Sequence, residues 1–398
     1  MKTELKDNVL TIFLEGRVDS NNAPELEKEL LDIAAQNDSA SKIQIDVDKL
    51  EYISSAGLRV LLKLRKEIKN PLPVINASNE LYEIFSVTGF VELLEVHKKM
   101  REVSVEGCEV IGTGVFATVY RLDSDTIVKI YRPEIKLDFI EQERNTSQSA
   151  FLLGVPTAIS YDVVKCGESY GVVYEMINAK TVAQIFDEDP GKIPEIARKL
   201  AEFLKELHAI VPGPDAKLPN RKQEVLNWCD SISKHLTKEE AEKLKNFIQN
   251  IPERDTFLHG DYHAKNIMLR DGEFQLIDIG SAAVGHPIFD IAFCICILLC
   301  DVFPNLPNSE ISMDFRRRII GFDLKYTRQV WEIMCGTYFG LSSPEEIEAK
   351  TKKLMPYSFL FIAFIMANVR RVPLQIVIED ILRGNLLPAI DTAEPLDF

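Results

Sequence analysis

Two polar clusters in the second half of the chain have the residue types and spacing of a phosphoryl-transfer centre. The first reads H-x-D-x-x-x-x-N from His259 to Asn266, and the second reads D-x-G from Asp278 to Gly280. An apolar stretch that predicts a strand precedes each cluster, which would present both in one cleft. In this arrangement Asp261 would accept the proton of a substrate hydroxyl, while Asn266 and Asp278 would hold Mg²⁺. The glycine would let the chain turn away from the metal.

A glycine-containing hairpin upstream predicts a cradle for phosphate groups. Gly112 and Gly114 lie between two predicted strands, where backbone N–H groups could cover phosphates. Lys129, on the next predicted strand, could reach the phosphate oxygens. By itself this signal is weak, because an ordinary glycine-containing hairpin looks similar and the third glycine of the kinase pattern is Ala117 here.

The segments after this hairpin could complete a nucleotide site. A predicted helix offers Glu141 and Glu143 as alternative partners for the lysine ammonium. Further on, an apolar strand runs into a polar stretch over residues 172–177. There the exposed backbone at Glu175 and Ile177 could hydrogen-bond the edge of an adenine, although an ordinary core strand explains the pattern equally well.

The histidines in and near the first cluster are candidates for catalysis or metal binding. A histidine at the position of His259 is more often a structural hydrogen-bonding group that braces the loop, and we expect that role here. His263 and Lys265 lie inside the loop and could touch the transferred phosphate. His208 lies on a predicted amphipathic helix and is expected in the core or behind the site.

Composition excludes several classes of protein. The 398 residues include 46 Lys and Arg against 61 Asp and Glu, a net charge of −15 that disfavours binding to nucleic acid. Seven cysteines without a C-x-x-C pair predict reduced, mostly buried thiols, among them Cys294, Cys296 and Cys300 in one apolar run. Because no apolar run reaches the length of a membrane span and no signal peptide is evident, we expect a cytoplasmic protein.

The first 97 residues predict a small α/β domain. Strands are expected at residues 9–14, 42–47 and 74–77, and helices at residues 23–35, from the Ser54-Ser55 pair to about residue 70, and 81–87, with a turn at 16–22. The polar residues 98–106 predict a tight linker. The last hundred residues predict helices at 315–320, 327–339, 344–354 and 357–369.

The first domain resembles the STAS domain of anti-sigma factor antagonists over residues 1–97, mainly through residues 50–62. In that family a partner kinase phosphorylates a serine before the second helix, and the matching residue is Ser55. Here Ser54 replaces the acidic residue that commonly precedes that serine, and Ala56 follows it. A phosphate at a helix N-terminus would gain backbone N–H donors. The alternative is that Ser54 or Ser55 only caps the helix.

The remainder resembles the aminoglycoside phosphotransferase and choline kinase family, through the two polar clusters and the segment 289–293. This resemblance implies an α+β, bilobal, protein-kinase-like fold, with an N-lobe over 107–177 and a helical C-lobe over 178–398. It implies transfer of the ATP γ-phosphoryl group to a hydroxyl, with Lys129 and Glu143 as an ion pair and Asp290 bracing the catalytic loop. Acidic residues of the C-lobe would suit a cationic acceptor such as an amino sugar or choline, although solvation of helix surfaces explains them equally well, the candidates being Glu310, Asp314, Glu332, Glu345 and Glu346.

Two kinds of acceptor compete. Only nine residues separate Gly280 from Asp290 and no A-P-E motif follows, so there is little room for the segment on which protein kinases bind a peptide. This favours a small hydroxylated molecule. A regulatory protein kinase that acts through the STAS domain and Ser55 is the alternative, because that domain is an unusual addition to a metabolic kinase. A catalytically inactive kinase fold is disfavoured, because Lys129, Asp261, Asn266 and Asp278 are all present.

Overall fold

The computed structural model describes residues 1–6, 8–37, 42–68, 70–299, 317, 319–368 and 373–398. The chain forms two compact units, Met1–Val103 and Ser104–Phe398. Several predicted features lie outside the described residues, namely Cys300, Glu310, Asp314, half of the predicted helix 315–320 and the last residue of the predicted helix 357–369. Within the described ranges, no helix has both the length and the apolar character needed to cross a bilayer.

The first unit is a five-stranded sheet with helices between its parallel strands. Its strands, in spatial order, are β1 (Lys2–Lys6), β2 (Val9–Val18), β3 (Lys42–Ile53), β4 (Val74–Ala77) and β5 (Val96–Lys98). The helices are α1 (Ala23–Gln36), α2 (Ser55–Ile68), α3 (Asn79–Val87) and α4 (Phe90–Leu93), and a short strand β6 (Arg101–Glu102) follows. β1 pairs antiparallel with β2, and the other neighbours pair in parallel.

A glycine allows α2 to pack closely on the sheet of the first unit. Val18 and Ile53 are paired at the ends of β2 and β3, and both are buried. A Cβ atom at Gly57 would lie 2.5 Å from Val18 Cγ1 and 2.7 Å from Ile53 Cγ1, so only glycine lets α2 pack this closely on the strands. Its buried Leu58 and Leu61 then fill the layer between α2 and the sheet.

Several predictions for this unit are wrong. Strand β3 runs six residues past its predicted end at residue 47, and the prediction includes neither α4 nor β5. The segment predicted as a turn, residues 16–22, begins inside β2, which continues to Val18 because Arg17 and Val18 still pair with β3. The sequence analysis also missed β1, whose five side chains are all exposed and therefore show no alternation of apolar and polar residues.

The second unit begins with an antiparallel sheet that carries one long helix. Its strands are β7 (Val110–Thr113), β8 (Ala117–Arg121), β9 (Thr126–Tyr131), β10 (Ser160–Cys166) and β11 (Ser169–Glu175), in the spatial order β10-β11-β9-β8-β7. Helix α5 (Leu137–Leu152) follows β9. Buried residues of three strands and α5, namely Ala117, Tyr131, Ile140 and Val172, form a small core of their own.

The rest of the second unit is mainly helical. Its helices are α6 (Val182–Glu188), α7 (Ile193–Ala209), α8 (Arg221–Ile232), α9 (Lys238–Gln249), α10 (Ile288–Leu298), α11 (Thr327–Phe339), α12 (Pro344–Asn368), α13 (Leu374–Ile376), a π-helical segment (Val377–Leu386) and α14 (Leu387–Ile390). Two small sheets carry the polar clusters, β12-β14-β15 and β13-β16, with β12 (Lys180–Thr181), β13 (Thr256–Leu258), β14 (Ile267–Arg270), β15 (Glu273–Leu276) and β16 (Ala283–Gly285). An α/β unit followed by an α+β unit with a helical C-terminal part confirms the predicted fold class.

One helix stands where the sequence predicts two. α12 runs continuously from Pro344 to Asn368 through Pro356, which lies inside it. A proline removes one backbone hydrogen bond, which is the reason for predicting a break. The helix continues because the residues on both sides, Leu354 and Tyr357, are buried in the same core, and Tyr357 stacks on Phe247 with ring centroids 4.8 Å apart.

Candidate active site

One hairpin brings the two polar clusters together. The catalytic loop joins β13 to β14, and Asp278 follows β15. β14 and β15 pair antiparallel from Ile267 opposite Leu276, so Asn266 and Asp278 lie at the same end of the hairpin. The Ile277 N–H donates to the Asn266 carbonyl at 2.9 Å, which continues the pairing into the site.

Asn266 fixes the carboxylate of Asp261. Its side-chain nitrogen donates to Asp261 Oδ2 at 2.8 Å and to the Asp261 carbonyl at 3.1 Å. The side-chain oxygen of Asn266 then remains available to bind a metal ion. The carboxylate of Asp278, at the same end of the hairpin, is half exposed. The described residues contain no group of three or more His, Cys, Asp or Glu that could hold a metal ion. An amide and a carboxylate oxygen fit Mg²⁺, which completes its coordination with water and phosphate oxygens.

His263 lies against the same carboxylate. Its Nδ1 accepts a hydrogen bond from the Lys265 N–H at 3.2 Å, so the ring proton is on Nε2, 3.5 Å from Asp261 Oδ1. Burial alone would raise the pKa of Asp261, but His263, His259 and the Asn266 amide together hold it below its ordinary value. Asp261 is therefore an anion that accepts protons, as a catalytic base must be.

A fully buried carboxylate holds the start of the catalytic loop. Asp290 accepts hydrogen bonds from the backbone N–H groups of His259 at 2.8 Å and Gly260 at 2.7 Å. Its third donor is His208 Nε2 at 3.2 Å, and the Tyr338 hydroxyl lies 2.8 Å from the other ring nitrogen of that histidine. Although burial opposes the charge, His208 helps to hold the pKa of Asp290 below its ordinary value.

Lys129 connects the antiparallel sheet to residues 278–281, called the metal loop because Asp278 is the predicted metal ligand. Its ammonium lies 2.7 Å from Glu143 Oε1 and 2.7 Å from Asp278 Oδ1. Of the two predicted glutamates, Glu143 therefore makes the ion pair and Glu141 does not. The Tyr131 hydroxyl donates to the same Glu143 oxygen at 2.6 Å. Burial alone would lower the pKa of Lys129, but Asp278 and Glu143 raise it well above its ordinary value.

Gly280 is required for a different reason from the predicted one. The chain turns at Asp278, whose φ of 57° is left-handed, and not at the glycine. A Cβ atom at Gly280 would lie 2.1 Å from Glu143 Cγ, inside the space that the glutamate occupies. The glycine therefore lets Glu143 approach closely enough to pair with Lys129.

The two glycines of the hairpin are not required by contacts within the chain. Gly112 lies in β7 and Gly114 in the turn, where its N–H donates to the Ala117 carbonyl at 2.8 Å. A Cβ atom at either would make only ordinary contacts, 3.8 Å to Val119 and 3.5 Å to the Ala117 carbonyl. Ala117 itself is buried in the core of the sheet, which explains a side chain at the third position.

The segment predicted to contact a nucleobase follows β11. Glu175 pairs with residue 159 through its backbone N–H at 2.9 Å and through its carboxylate, so its side chain stabilises the strand end. Ile177 is buried, and its carbonyl accepts from the Ala179 N–H at 3.0 Å. Within the described part of the chain, the Ile177 N–H makes no hydrogen bond.

The structure separates the two serines at the start of α2. Ser54 Oγ accepts a hydrogen bond from the Gly57 N–H at 3.4 Å, which is the geometry of a helix cap. Ser55 is the first residue of the helix and is exposed. Capping therefore falls to Ser54, and the Ser55 hydroxyl is accessible.

Three of the acidic residues predicted for an acceptor pocket are described, and all three are exposed. Glu332 and Glu345 are exposed on α11 and α12. Glu346 accepts hydrogen bonds from the N–H groups of Ser342 and Ser343 at 3.2 and 3.0 Å and so caps α12.

Sequence reasoning missed three residues that contact the site residues. Tyr131 could have been found, because it lies two positions after Lys129 on a strand and therefore faces the same side. Tyr338 and Arg221 reach the site from distant helices and carry no local signal.

Comparisons with known proteins agree with both predicted resemblances. The family model described as "Phosphotransferase enzyme family" matches residues 107–319, and the model described as "Mlab, STAS domain" matches residues 1–95. The putative anti-sigma factor antagonist BtrV of Bordetella bronchiseptica is 37% identical over 94 residues, which are 23% of this chain and 78% of that protein. The anti-sigma-B factor antagonist of Bacillus subtilis is 26% identical over 96 residues, 23% of this chain and 85% of that protein.

Solved structures similar to this chain include two kinases. A choline/ethanolamine kinase family protein from Mesorhizobium loti has a TM-score of 0.44 at 14% identity, covering 72% of this chain and 92% of its own. The streptomycin–ATP complex of the aminoglycoside phosphotransferase APH(2")-IIa has a TM-score of 0.41 at 19% identity, covering 79% and 99%. The family match spans more than half of the sequence, and the chain therefore belongs to the phosphotransferase enzyme family, with a STAS domain of the anti-sigma factor antagonist kind at its N-terminus.

Proposed function

We propose that the protein transfers the γ-phosphoryl group of ATP, with Mg²⁺, to a hydroxyl of a small molecule. The observation that carries this proposal is the position of Lys129, which pairs with Glu143 and with Asp278, 149 residues away in the chain. A lysine, a glutamate and a metal-binding aspartate in contact are the parts that phosphoryl transfer requires of this fold.

Each site residue then has a defined task. Gly112, Gly114 and Lys129 hold the phosphates, since neither glycine is needed for packing and both leave room for a ligand. The backbone at Glu175 and Ile177 binds the nucleobase, for which the Ile177 N–H is a free donor among the described residues.

The acceptor side is formed by the catalytic loop. Asp261 takes the proton of the acceptor hydroxyl as the oxygen attacks phosphorus, and Asn266 keeps the carboxylate in place. Asn266 and Asp278 hold Mg²⁺, which neutralises charge that develops on the transferred phosphoryl group. His259 and Asp290 brace the loop from behind.

The short segment after Asp278 favours a small acceptor over a peptide. Residues Ile279–Ser281 form a 3₁₀ turn, Ala283–Gly285 pair with β13, and α10 begins at Ile288. Every stretch of that segment is committed to the fold, so no extended platform for a peptide is present between these described residues.

We further propose that the STAS domain is a regulatory or docking domain for a signalling protein, with Ser55 as the residue that a partner kinase phosphorylates. The exposed hydroxyl at the start of α2 supports this role. The six free cysteines of the described chain support action in the reducing cytoplasm.

The test combines turnover with phosphosite mapping. The purified full chain is incubated with Mg·ATP and a panel of hydroxylated amines and sugars, and ADP release and intact mass are measured, with Asp261→Asn and Lys129→Ala as controls. Acceptor-dependent ADP release that Asp261→Asn abolishes would support the proposal. Phosphate on Ser55 that disappears in Asp261→Asn would favour the protein-kinase alternative. ADP release that persists in Asp261→Asn would exclude both.

A further inference from the structure

Arg221 is a buried basic residue behind the active site that no motif accounts for. It is the first residue of α8, and its side chain is 10% exposed. Its Nη2 donates to the Ser281 carbonyl at 2.6 Å, and its Nη1 lies 2.9 Å from Glu224 Oε2. A guanidinium can hold two partners at once in a fixed planar geometry, which an ammonium cannot do.

The Ser281 carbonyl lies where the two catalytic segments meet. Gly260 has a left-handed φ of 80°, and a Cβ atom there would lie 2.1 Å from the Ser281 oxygen and 2.8 Å from Arg221 Nη2. Gly260 immediately precedes Asp261, and Ser281 lies three residues after Asp278. The Arg221 guanidinium therefore binds the metal loop at Ser281, directly against Gly260, the residue before Asp261.

We propose that Arg221 is a positioning residue that fixes the metal loop against the catalytic loop, and so sets the separation of Asp278 from Asp261. This inference rests on the proposed function. A hydrogen bond from a charged donor in a buried site is stronger than a neutral one. Phosphoryl transfer depends on positioning, and misplacement by about 1 Å can cost about a hundredfold in rate.

Helix α8 has other attachments, so removing the guanidinium leaves the helix in place. Asn220 caps it by accepting from the Gln223 N–H at 2.9 Å, and the Val284 N–H donates to the Pro219 carbonyl at 2.8 Å. Buried Val225 and Trp228 pack in the core of the unit. An Arg221→Met variant is therefore expected to fold.

Lys222 supplies a matched control on the same helix. It is as buried as Arg221, at 8% exposure for each residue, and its ammonium also donates to backbone carbonyls. Those carbonyls belong to Gln249 and Ile251 at the end of α9, at 3.0 and 2.6 Å, and not to the catalytic segments. Loss of Lys222 removes a buried cation without touching the metal loop.

The experiment compares Arg221→Met, Arg221→Lys and Lys222→Met in the full chain. We expect Arg221→Met to lower kcat for Mg·ATP turnover about 10- to 100-fold, with KM for ATP within about twofold. The half-saturating Mg²⁺ concentration should rise, and Arg221→Lys should recover part of kcat by keeping one donor to Ser281. Lys222→Met should change kcat less than about twofold while lowering the unfolding temperature.

A second readout does not depend on turnover. Calorimetry measures ADP affinity with and without Mg²⁺, and the ratio of the two affinities should fall about tenfold in Arg221→Met and stay unchanged in Lys222→Met. Equal changes in both variants, in kcat or in this ratio, would overturn the inference, because the effect would then be a general loosening of α8.

Asp261→Asn separates this inference from the proposed function. If wild type and Asp261→Asn turn over ATP equally, the proposed function fails while the Mg²⁺ effect on ADP binding still tests Arg221. If wild type binds no nucleotide with or without Mg²⁺, both are overturned.

Discussion

Ser55 in the first unit and Asp261 in the second are the two side chains for which we propose a covalent or proton-transfer role, yet they are held differently. Ser55 is exposed, and the cap of α2 is made by its neighbour Ser54. Asp261 lies in a loop that Asn266 fixes from within and buried Asp290 fixes from behind. A group that another protein must reach can be left free, whereas a group that must meet a reacting atom is fixed by hydrogen bonds at both ends of its loop.

Removing the base should give the largest effect. Asp261→Asn keeps the size of the side chain but loses the proton acceptor, so turnover should fall about 10²- to 10⁴-fold. Nucleotide affinity should stay within about threefold, because Lys129 and the glycine hairpin are untouched. Steady-state ADP release and calorimetric ADP binding measure the two quantities. If Asp261→Asn retained full turnover, Asp261 would not be the proton acceptor, and the comparison with Ser55 would no longer hold.

Weakening the buried brace should cost stability as well as activity. In Asp290→Asn one of the three donors loses its acceptor in a fully buried site, which should destabilise the second unit by about 3 kcal/mol. Urea unfolding followed by tryptophan fluorescence reports on this unit alone, because Trp228 and Trp331 are the two tryptophans of the chain. Asp323→Asn, at an exposed helix cap, is the control and should change stability little. If both variants lost the same free energy of unfolding, the buried position of Asp290 would contribute no more to stability than an ordinary helix cap.

The pH dependence of turnover tests the environment of the base. The pKa of Asp261 is lower than that of an ordinary aspartate. The carboxylate therefore stays ionised when the pH falls to the ordinary aspartate pKa, and turnover should be lost only at still lower pH. His263→Gln removes the group that most lowers this pKa, so the acidic limb of the rate–pH profile should move to higher pH, while the carboxylate stays ionised at neutral pH. An acidic limb that stays in place would show that His263 does not act on Asp261.

The two serines should show the smallest effects. Ser54→Ala removes the cap of α2 and should destabilise the first unit by about 1 kcal/mol. Ser55→Ala should change stability by less than about 0.5 kcal/mol, since the side chain is exposed. Hydrogen exchange of the α2 amides in the full chain measures both. The reverse order of effects would make Ser55 the structural residue and remove its accessibility as an argument for a switch.

Local patterns in the sequence explain what could be predicted. Strand β4 (Val74–Ala77) and helix α11 (Thr327–Phe339) match their predicted bounds, because apolar spacing and flanking turn residues mark both ends. The family resemblance favoured Glu143 over Glu141 as the partner of Lys129, and the structure shows this pair. The pair depends on the space that Gly280 leaves for Glu143, a contact between segments more than a hundred residues apart.

Both family resemblances, many of the elements and the residue types of the site could be read from the sequence, because motifs and periodicity are local properties of a chain. Tertiary structure decided which groups meet: Tyr131 with Glu143, Tyr338 with His208, and Arg221 with the Ser281 carbonyl. Such contacts form when helices and strands pack to exclude water from their apolar faces, and the buried polar groups must then find partners within reach. Packing brings these partners from distant parts of the chain, so local sequence patterns do not identify them.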